Sequence, residues 1–216
     1  MIKIEKSKAP GKITCDADYR KEPVFGCICK DFHGKCYLCE YKSTSYRVEH
    51  IVPRDRAPEC AHKWENLFLA CPHCNEIKGN KYNNILDCTK VDPEDVISIK
   101  YNPFPMARPE FAIKDANDPV STQVEQTVEL LNKIFIEPTT VEKLYEADTL
   151  CDKLYEEIDD FLNDIQKYRK ATGKNKGKCY TYVSEHIGRS SSFAAIKRAI
   201  VRERYLHIFG TELDKQ

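Results

Sequence analysis

No stretch of this 216-residue sequence approaches the ~20 consecutive apolar residues that a membrane-crossing helix needs, so a helical membrane protein is excluded. The opening segment, MIKIEKSKAPGK, lacks the apolar core of a secretory signal, and the expectation is a cytoplasmic protein. There is no internal repeat and no recognisable helix-turn-helix. Net charge is also missing, since 34 Lys and Arg balance 34 Asp and Glu. That balance hides a pattern. Residues 1–90 carry +4, residues 91–170 carry −9 and residues 171–216 carry +5, so an acidic middle lies between basic ends. With 41% hydrophobic and 31% charged residues the composition is that of a folded chain, long enough for one large domain or two small ones.

Cysteine is abundant, at 11 residues. In a reducing compartment, closely paired cysteines indicate metal ligation more than disulfides. Cys36-Tyr37-Leu38-Cys39 and Cys71-Pro72-His73-Cys74 form two C-x2-C pairs, and four thiolates so paired match a tetrahedral structural Zn²⁺. The 31 residues between the pairs exceed the 15–20 of common zinc ribbons, so a functional segment is inserted there. Cys27-Ile28-Cys29 has too short a spacer for a knuckle. Cys15, Cys60, Cys88, Cys151 and Cys179 are isolated and are expected to be small buried thiols.

The chain divides into a leading segment plus the cysteine-framed module (1–90), a proline-rich connector (91–120) and a helical part (121–216). Tyr46-Arg47-Val48 and Ile51-Val52, stopped by Pro53, read as a short strand or hairpin. Ile97-Ser98-Ile99-Lys100-Tyr101 alternates and reads as an edge strand. Val124, Val128, Leu131 and Phe135 predict a helix over about 122–136. After capping-box spacing at Thr139-Thr140-Val141-Glu142, a 3.5-residue repeat runs from Leu144 through Ala147, Cys151, Leu154, Ile158, Phe161 and Ile165 to Tyr168. Such a seam either packs within this chain or meets another. Residues 173–177 read as a loop, and Ser190-Ser191-Ser192 precedes a last helix stopped near Gly210.

Between and after the knuckles lie Glu49-His50-Ile51-Val52-Pro53, Trp64-Glu65-Asn66-Leu67 and Cys74-Asn75-Glu76-Ile77-Lys78-Gly79-Asn80-Lys81. His50 and Asn66 are 16 residues apart, Asn66 and Asn75 nine. In these segments the sequence resembles the HNH, or ββα-metal, nuclease family. The resemblance implies an α+β fold, a zinc-stapled ββα-metal module followed by a mainly helical region. It also implies phosphodiester hydrolysis. In that chemistry a neutral imidazole at His50 takes a proton from water, and Asn66 orients it or fixes its loop. Glu49 and Asn75 offer ligands to one hard cation, Mg²⁺ or Mn²⁺, directly or, for Glu49, through water. Lys78 and Lys81 are expected to meet backbone phosphates. Glu49 stands where the family commonly has Asp, and Asn75 where it often has His.

A narrower resemblance covers more of the chain, through Gln126-Thr127-Val128-Glu129-Leu130-Leu131-Asn132 and Ser192-Phe193-Ala194-Ala195-Ile196-Lys197-Arg198. These patterns are similar to the PtuB-type nuclease subunits of Septu anti-phage systems, including retron-associated ones. They imply a PtuA-like ATPase partner and a nucleic-acid substrate, DNA in the first instance and RNA as the alternative. A stand-alone restriction or homing-type HNH nuclease, and a catalytically dead zinc-bearing interaction protein, are the competing readings. A second basic zone, from Lys170 and Lys174, Lys176 and Lys178 to Arg189, Lys197, Arg198, Arg202 and Arg204, is either a phosphate-binding face or an ordinary solvated one.

Overall fold

A computed structural model of the chain describes residues 1–104, 107–114, 121–136 and 140–214. The leading segment contains a helix, α1 (Val24–Asp31), which buries Val24 and Ile28. Cys27 and Cys29 are half-buried on this helix, and because neighbours two apart on a helix diverge, they do not form a knuckle. The lead is fastened to the following module by Ile4 N–H on the Cys88 carbonyl (3.0 Å) and by the indole N–H of Trp64 on the Ser7 carbonyl (2.7 Å).

Strands β1 (Arg47–His50) and β2 (Leu67–Ala70) pair antiparallel, Arg47 opposite Ala70 and His50 opposite Leu67. All four β2 residues are fully buried, with Phe68 taking the rings of Phe32 at 5.4 Å and Tyr37 at 5.0 Å. Helix α2 (Pro72–Lys78) follows at once and completes a ββα unit. Pro72 occupies the first helical position, where a missing N–H costs nothing. Gly79, at φ +46°, ends the helix by donating to the Asn75 carbonyl at 3.0 Å.

The segment read as a connector carries a helical turn, α3 (Pro93–Val96), and an antiparallel pair, β3 (Ile97–Lys100) with β4 (Glu110–Ile113). Helix α4 (Thr122–Phe135) lies where its periodicity predicts. It is stapled to its neighbours by the residues of the Gln126–Asn132 pattern. Thr127 Oγ1 accepts from Leu86 N–H at 2.8 Å, and the Asn132 amide exchanges hydrogen bonds with Phe111 N–H and C=O at 3.0 and 2.9 Å.

Helix α5 (Val141–Lys170) begins at Thr140, whose hydroxyl accepts from Lys143 N–H at 3.2 Å. Thr139, which the capping-box spacing pairs with Glu142, lies outside the described residues. The seam residues Ala147, Leu154, Ile158, Phe161 and Ile165 are buried, because helix α6 (Gly173–Ile187) folds back along α5. The seam is therefore satisfied within this chain. Residues 173–177, expected as a loop, form the first turn of α6. The last stretch runs as α7 (Ala194–Ile200), a π-helical turn (Val201–Tyr205) and α8 (Leu206–Leu213), which continues past Gly210.

The basic zone does not survive as one face. Lys197 is fully buried against Glu157 at 2.6 Å, while Arg198 and Arg202 meet the two oxygens of Glu94 at 2.7 and 2.6 Å. Buried cations need such partners. The N-cap of α7, Phe193, is left-handed at φ +51°, and Ala195 N–H donates to the Glu40 carboxylate at 3.1 Å, which ties this helix to the residue after Cys39. Among the described residues, no helix is long and apolar enough to cross a membrane.

Candidate active site and metal centre

Two tight turns bring the cysteines together. The first pair ends in Glu40 at φ +62°, where Cys36 and Tyr41 close the turn through a 3.0 Å hydrogen bond. The second opens α2, with Cys71 as its N-cap. All four are buried, and their sulfurs lie within 4.8 Å of one another. Zinc–sulfur bonds of about 2.3 Å set tetrahedral sulfurs roughly 3.8 Å apart. Cys39 Sγ and Cys71 Sγ are 3.9 Å apart, so the cage has the size of a zinc site. Burial pushes the Cys39 and Cys74 thiols up and acts on Cys36 too, but hydrogen bonds from its three neighbours pull Cys36 down, so these thiols titrate together. His73, inside the second knuckle, is turned away from the sulfurs. Its Nδ1 contacts Glu146 at 2.7 Å and its Nε2 the Ile134 carbonyl at 3.1 Å. Among the described residues, no other Cys, His or acidic group forms such a cluster, and Cys15 is exposed rather than buried.

One turn from this cage lies a polar cleft of about 440 Å³, whose walls include Tyr19, Arg20, Glu49, His50, Arg54 and Asn75. Strand β1 ends in His50, and the ring is held from behind. Its Nε2 lies 2.8 Å from the Ala61 carbonyl, and since a carbonyl only accepts, Nε2 carries the proton and the basic lone pair is on Nδ1. Tyr19 packs edge-on against the imidazole at 5.6 Å. Burial pulls the His50 pKa below its ordinary value, which favours the neutral ring.

Among the described residues Asn66 makes no hydrogen bond to the imidazole. Its Nδ2 donates to the Val52 and Cys60 carbonyls at 3.0 and 3.1 Å, and its Oδ1 accepts from Val52 N–H at 2.8 Å. These bonds tie Val52 to Cys60, the residue before Ala61. Asn75 lies on α2 directly after Cys74, half-buried on the cleft wall, and its side-chain amide has no hydrogen bond among the described residues.

Glu49 is buried and already engaged. Oε1 meets Lys78 Nζ at 2.6 Å, and Oε2 accepts from the Tyr37 hydroxyl at 2.7 Å. Burial raises its pKa, against the opposing pull of Lys78 and Tyr37. Lys78 is fully buried and also donates to the His50 carbonyl at 3.0 Å, so its ammonium buttresses the strand from within. Lys81 is exposed, outside the cleft, and paired with Glu129 at 2.9 Å. The structure thus brings Glu49, His50, Asn75 and Lys78 together, sets Asn66 behind them and leaves Lys81 apart. Tyr19, Arg20 and the Ala61 carbonyl belong to the site without any signal in the sequence, because they reach it from an aperiodic lead and from a loop.

A hairpin and helix with a histidine and an asparagine on one polar cleft, next to four clustered cysteines, form a ββα unit beside a candidate metal cage. Residues 36–81 match the HNH endonuclease family. The Septu protein PtuB of Bacillus thuringiensis is 37% identical to this chain over 51 residues, which cover 22% of this chain and 20% of that protein. The chain therefore spans about a fifth of the length of the curated relative that it matches. No solved structure matches it.

Proposed function

We propose that this chain is an HNH endonuclease that hydrolyses phosphodiester bonds of nucleic acid, with DNA as substrate and His50 as general base. One observation carries the reading. An imidazole fixed through Nε2, with Nδ1 unengaged, faces the same cleft as the unengaged Asn75 amide. His50 Nδ1 takes the proton of the attacking water, and its lowered pKa keeps it competent at neutral pH. Asn66 keeps the Ala61 carbonyl in place and with it the tautomer. Asn75 Oδ1 fits a hard divalent cation, Mg²⁺ or Mn²⁺. Glu49, each of whose oxygens already has one partner, would hold such a cation through the remaining lone pairs, directly or through water. The chemistry supplied by the cation is neutralisation of charge at the scissile phosphate and leaving oxygen. Zn²⁺ in the four-cysteine cage would be structural and would fix the position of Asn75 through its neighbour Cys74.

The likeness to a Septu protein supports employment in an anti-phage complex, with a PtuA-like ATPase as partner. The test is cleavage of supercoiled plasmid and of single-stranded DNA and RNA in Mg²⁺ or Mn²⁺, with and without that co-expressed ATPase. Wild type is expected to cut DNA, and His50→Ala to lose roughly 10²-fold or more in rate. Equal cutting by both proteins would remove His50 from the base role. No cutting of any substrate under either condition would refute the nuclease reading.

A further inference from the structure

The cleft needs a cation outside the metal site to hold the phosphates flanking the scissile bond, and the lysines of the motif are committed elsewhere. Lys78 is sealed under β1 against Glu49, and Lys81 lies outside the cleft against Glu129. The cleft's remaining cations are Arg20 and Arg54. We infer that these two arginines, one of them supplied by the lead outside the matched segment, form the phosphate-binding pair of the site. The inference rests on the nuclease reading and adds to it where the substrate backbone is held.

The lead is built to present them. The Asp18 carboxylate accepts from Thr14 N–H, Thr14 Oγ1 and Cys15 N–H at 2.7, 3.0 and 3.1 Å, closing a turn that runs into a 3₁₀ turn, Asp18–Arg20. Tyr19 is the buried residue of that turn and packs on His50, while its neighbour Arg20 projects outward, exposed. Arg20 has no hydrogen bond or ion pair among the described residues. Arg54 is half-exposed and held by one donor, Nη1 on Asp16 Oδ2 at 2.6 Å. A guanidinium has five N–H donors, so most of the Arg54 fork stays available. Asp16 is itself fixed, since His62 Nε2 lies 3.2 Å from its other oxygen and His62 stacks on Tyr19 at 6.4 Å. Arg54 is thus oriented, Arg20 is free, and both stand on the walls that hold His50. Of the two acidic side chains that line the cleft, Glu49 is held by Lys78 and Tyr37, and Asp55 accepts from Asn80 Nδ2 at 3.1 Å. Planar guanidinium forks match phosphate oxygens in pairs, which a lysine does not.

The experiment uses the 216-residue chain carrying His50→Ala, so that binding of a generic 20-base-pair DNA duplex is read without cleavage, by anisotropy across a salt series. Arg20→Ala and Arg54→Gln are each expected to weaken binding roughly tenfold and to reduce the slope of log affinity on log salt by about 1. Arg20→Lys should restore the salt slope but not the full affinity. Lys153→Ala, on the surface of α5, should change neither. Because Arg20 is exposed and unpaired, its variants fold whatever becomes of Arg54→Gln. A parent that binds and, with His50 restored, cuts DNA, while both arginine variants match it, overturns this inference and leaves the nuclease reading standing. A larger loss for Lys81→Ala than for Arg20→Ala overturns it equally. A parent that neither binds nor cuts nucleic acid removes both.

Discussion

Lys78 Nζ lies 2.6 Å from Glu49 Oε1, with the lysine fully buried and the glutamate 6% exposed. The same ammonium donates to the carbonyl of His50, so α2 is locked to β1 at the residue proposed as base. Removing one member of a buried pair strands the other charge, at about 3–5 kcal/mol. Lys78→Met is therefore expected to lower unfolding stability in urea by roughly that amount. Adding Glu49→Gln to Lys78→Met should recover at least ~1 kcal/mol, because the stranded carboxylate is gone. Strictly additive losses would show that the pair is not coupled.

The cysteine cage predicts about one zinc per chain, tightly held. Cys74 and Asn75 are adjacent at the start of α2, so loss of the metal should loosen both the fold and the cleft. Chelator treatment, or Cys36→Ser with Cys39→Ser, is expected to unfold the 36–81 region. Elemental analysis and amide exchange across β1, β2 and α2 are the measurements. A folded, zinc-free wild-type protein would refute the cage.

Asn66 is 5% exposed and makes three hydrogen bonds that span Val52 to Cys60. Asn66→Asp removes both donors and leaves two carbonyls and a buried carboxyl group facing each other. The expected cost is about 2–4 kcal/mol of stability. Since the loop it ties carries the Ala61 carbonyl, kcat should fall while KM stays near wild type. A variant with unchanged kcat and reduced stability would confine Asn66 to a structural part.

That His50 and Asn75 would share one cleft and the four cysteines one cage was legible in the sequence because these placements are local. A knuckle is four residues long, and Asn75 is fixed by the cysteine beside it. What sequence does not disclose is which way a charge faces. Lys78, one turn beyond Asn75, reads as a surface lysine, yet the helix turns it under β1 toward Glu49. Lys197 and Arg198 likewise read as part of a basic face, while Glu157 and Glu94, 40 and 104 residues away, draw them inward. Helix α6 was hidden for a different reason. Gly173 and Gly177 disfavour a helix by propensity, the lysines between them meet the positive end of its dipole, and packing against α5 overrides both. The seam itself announced a partner without saying that the partner was in the same chain.

Lys6 offers a test of how the lead is attached. Its ammonium donates to the carbonyls of Trp64 and Leu67, the latter at 2.6 Å, and sits 4.5 Å over the Trp64 ring. Burial pulls its pKa down from 10.5 to about 8. The folded state then releases this proton earlier than the unfolded state does. Between those two values the unfolded chain binds more protons, so stability contributed at Lys6 rises as the pH rises. Relative to Lys6→Met, the wild type should gain on the order of 1–2 kcal/mol between about pH 7.5 and pH 9.5. Urea midpoints of the two proteins across that range are the measurement. A difference that stays level, or shrinks as pH rises, would mean that the carbonyls and the indole ring hold the ammonium charged despite its burial.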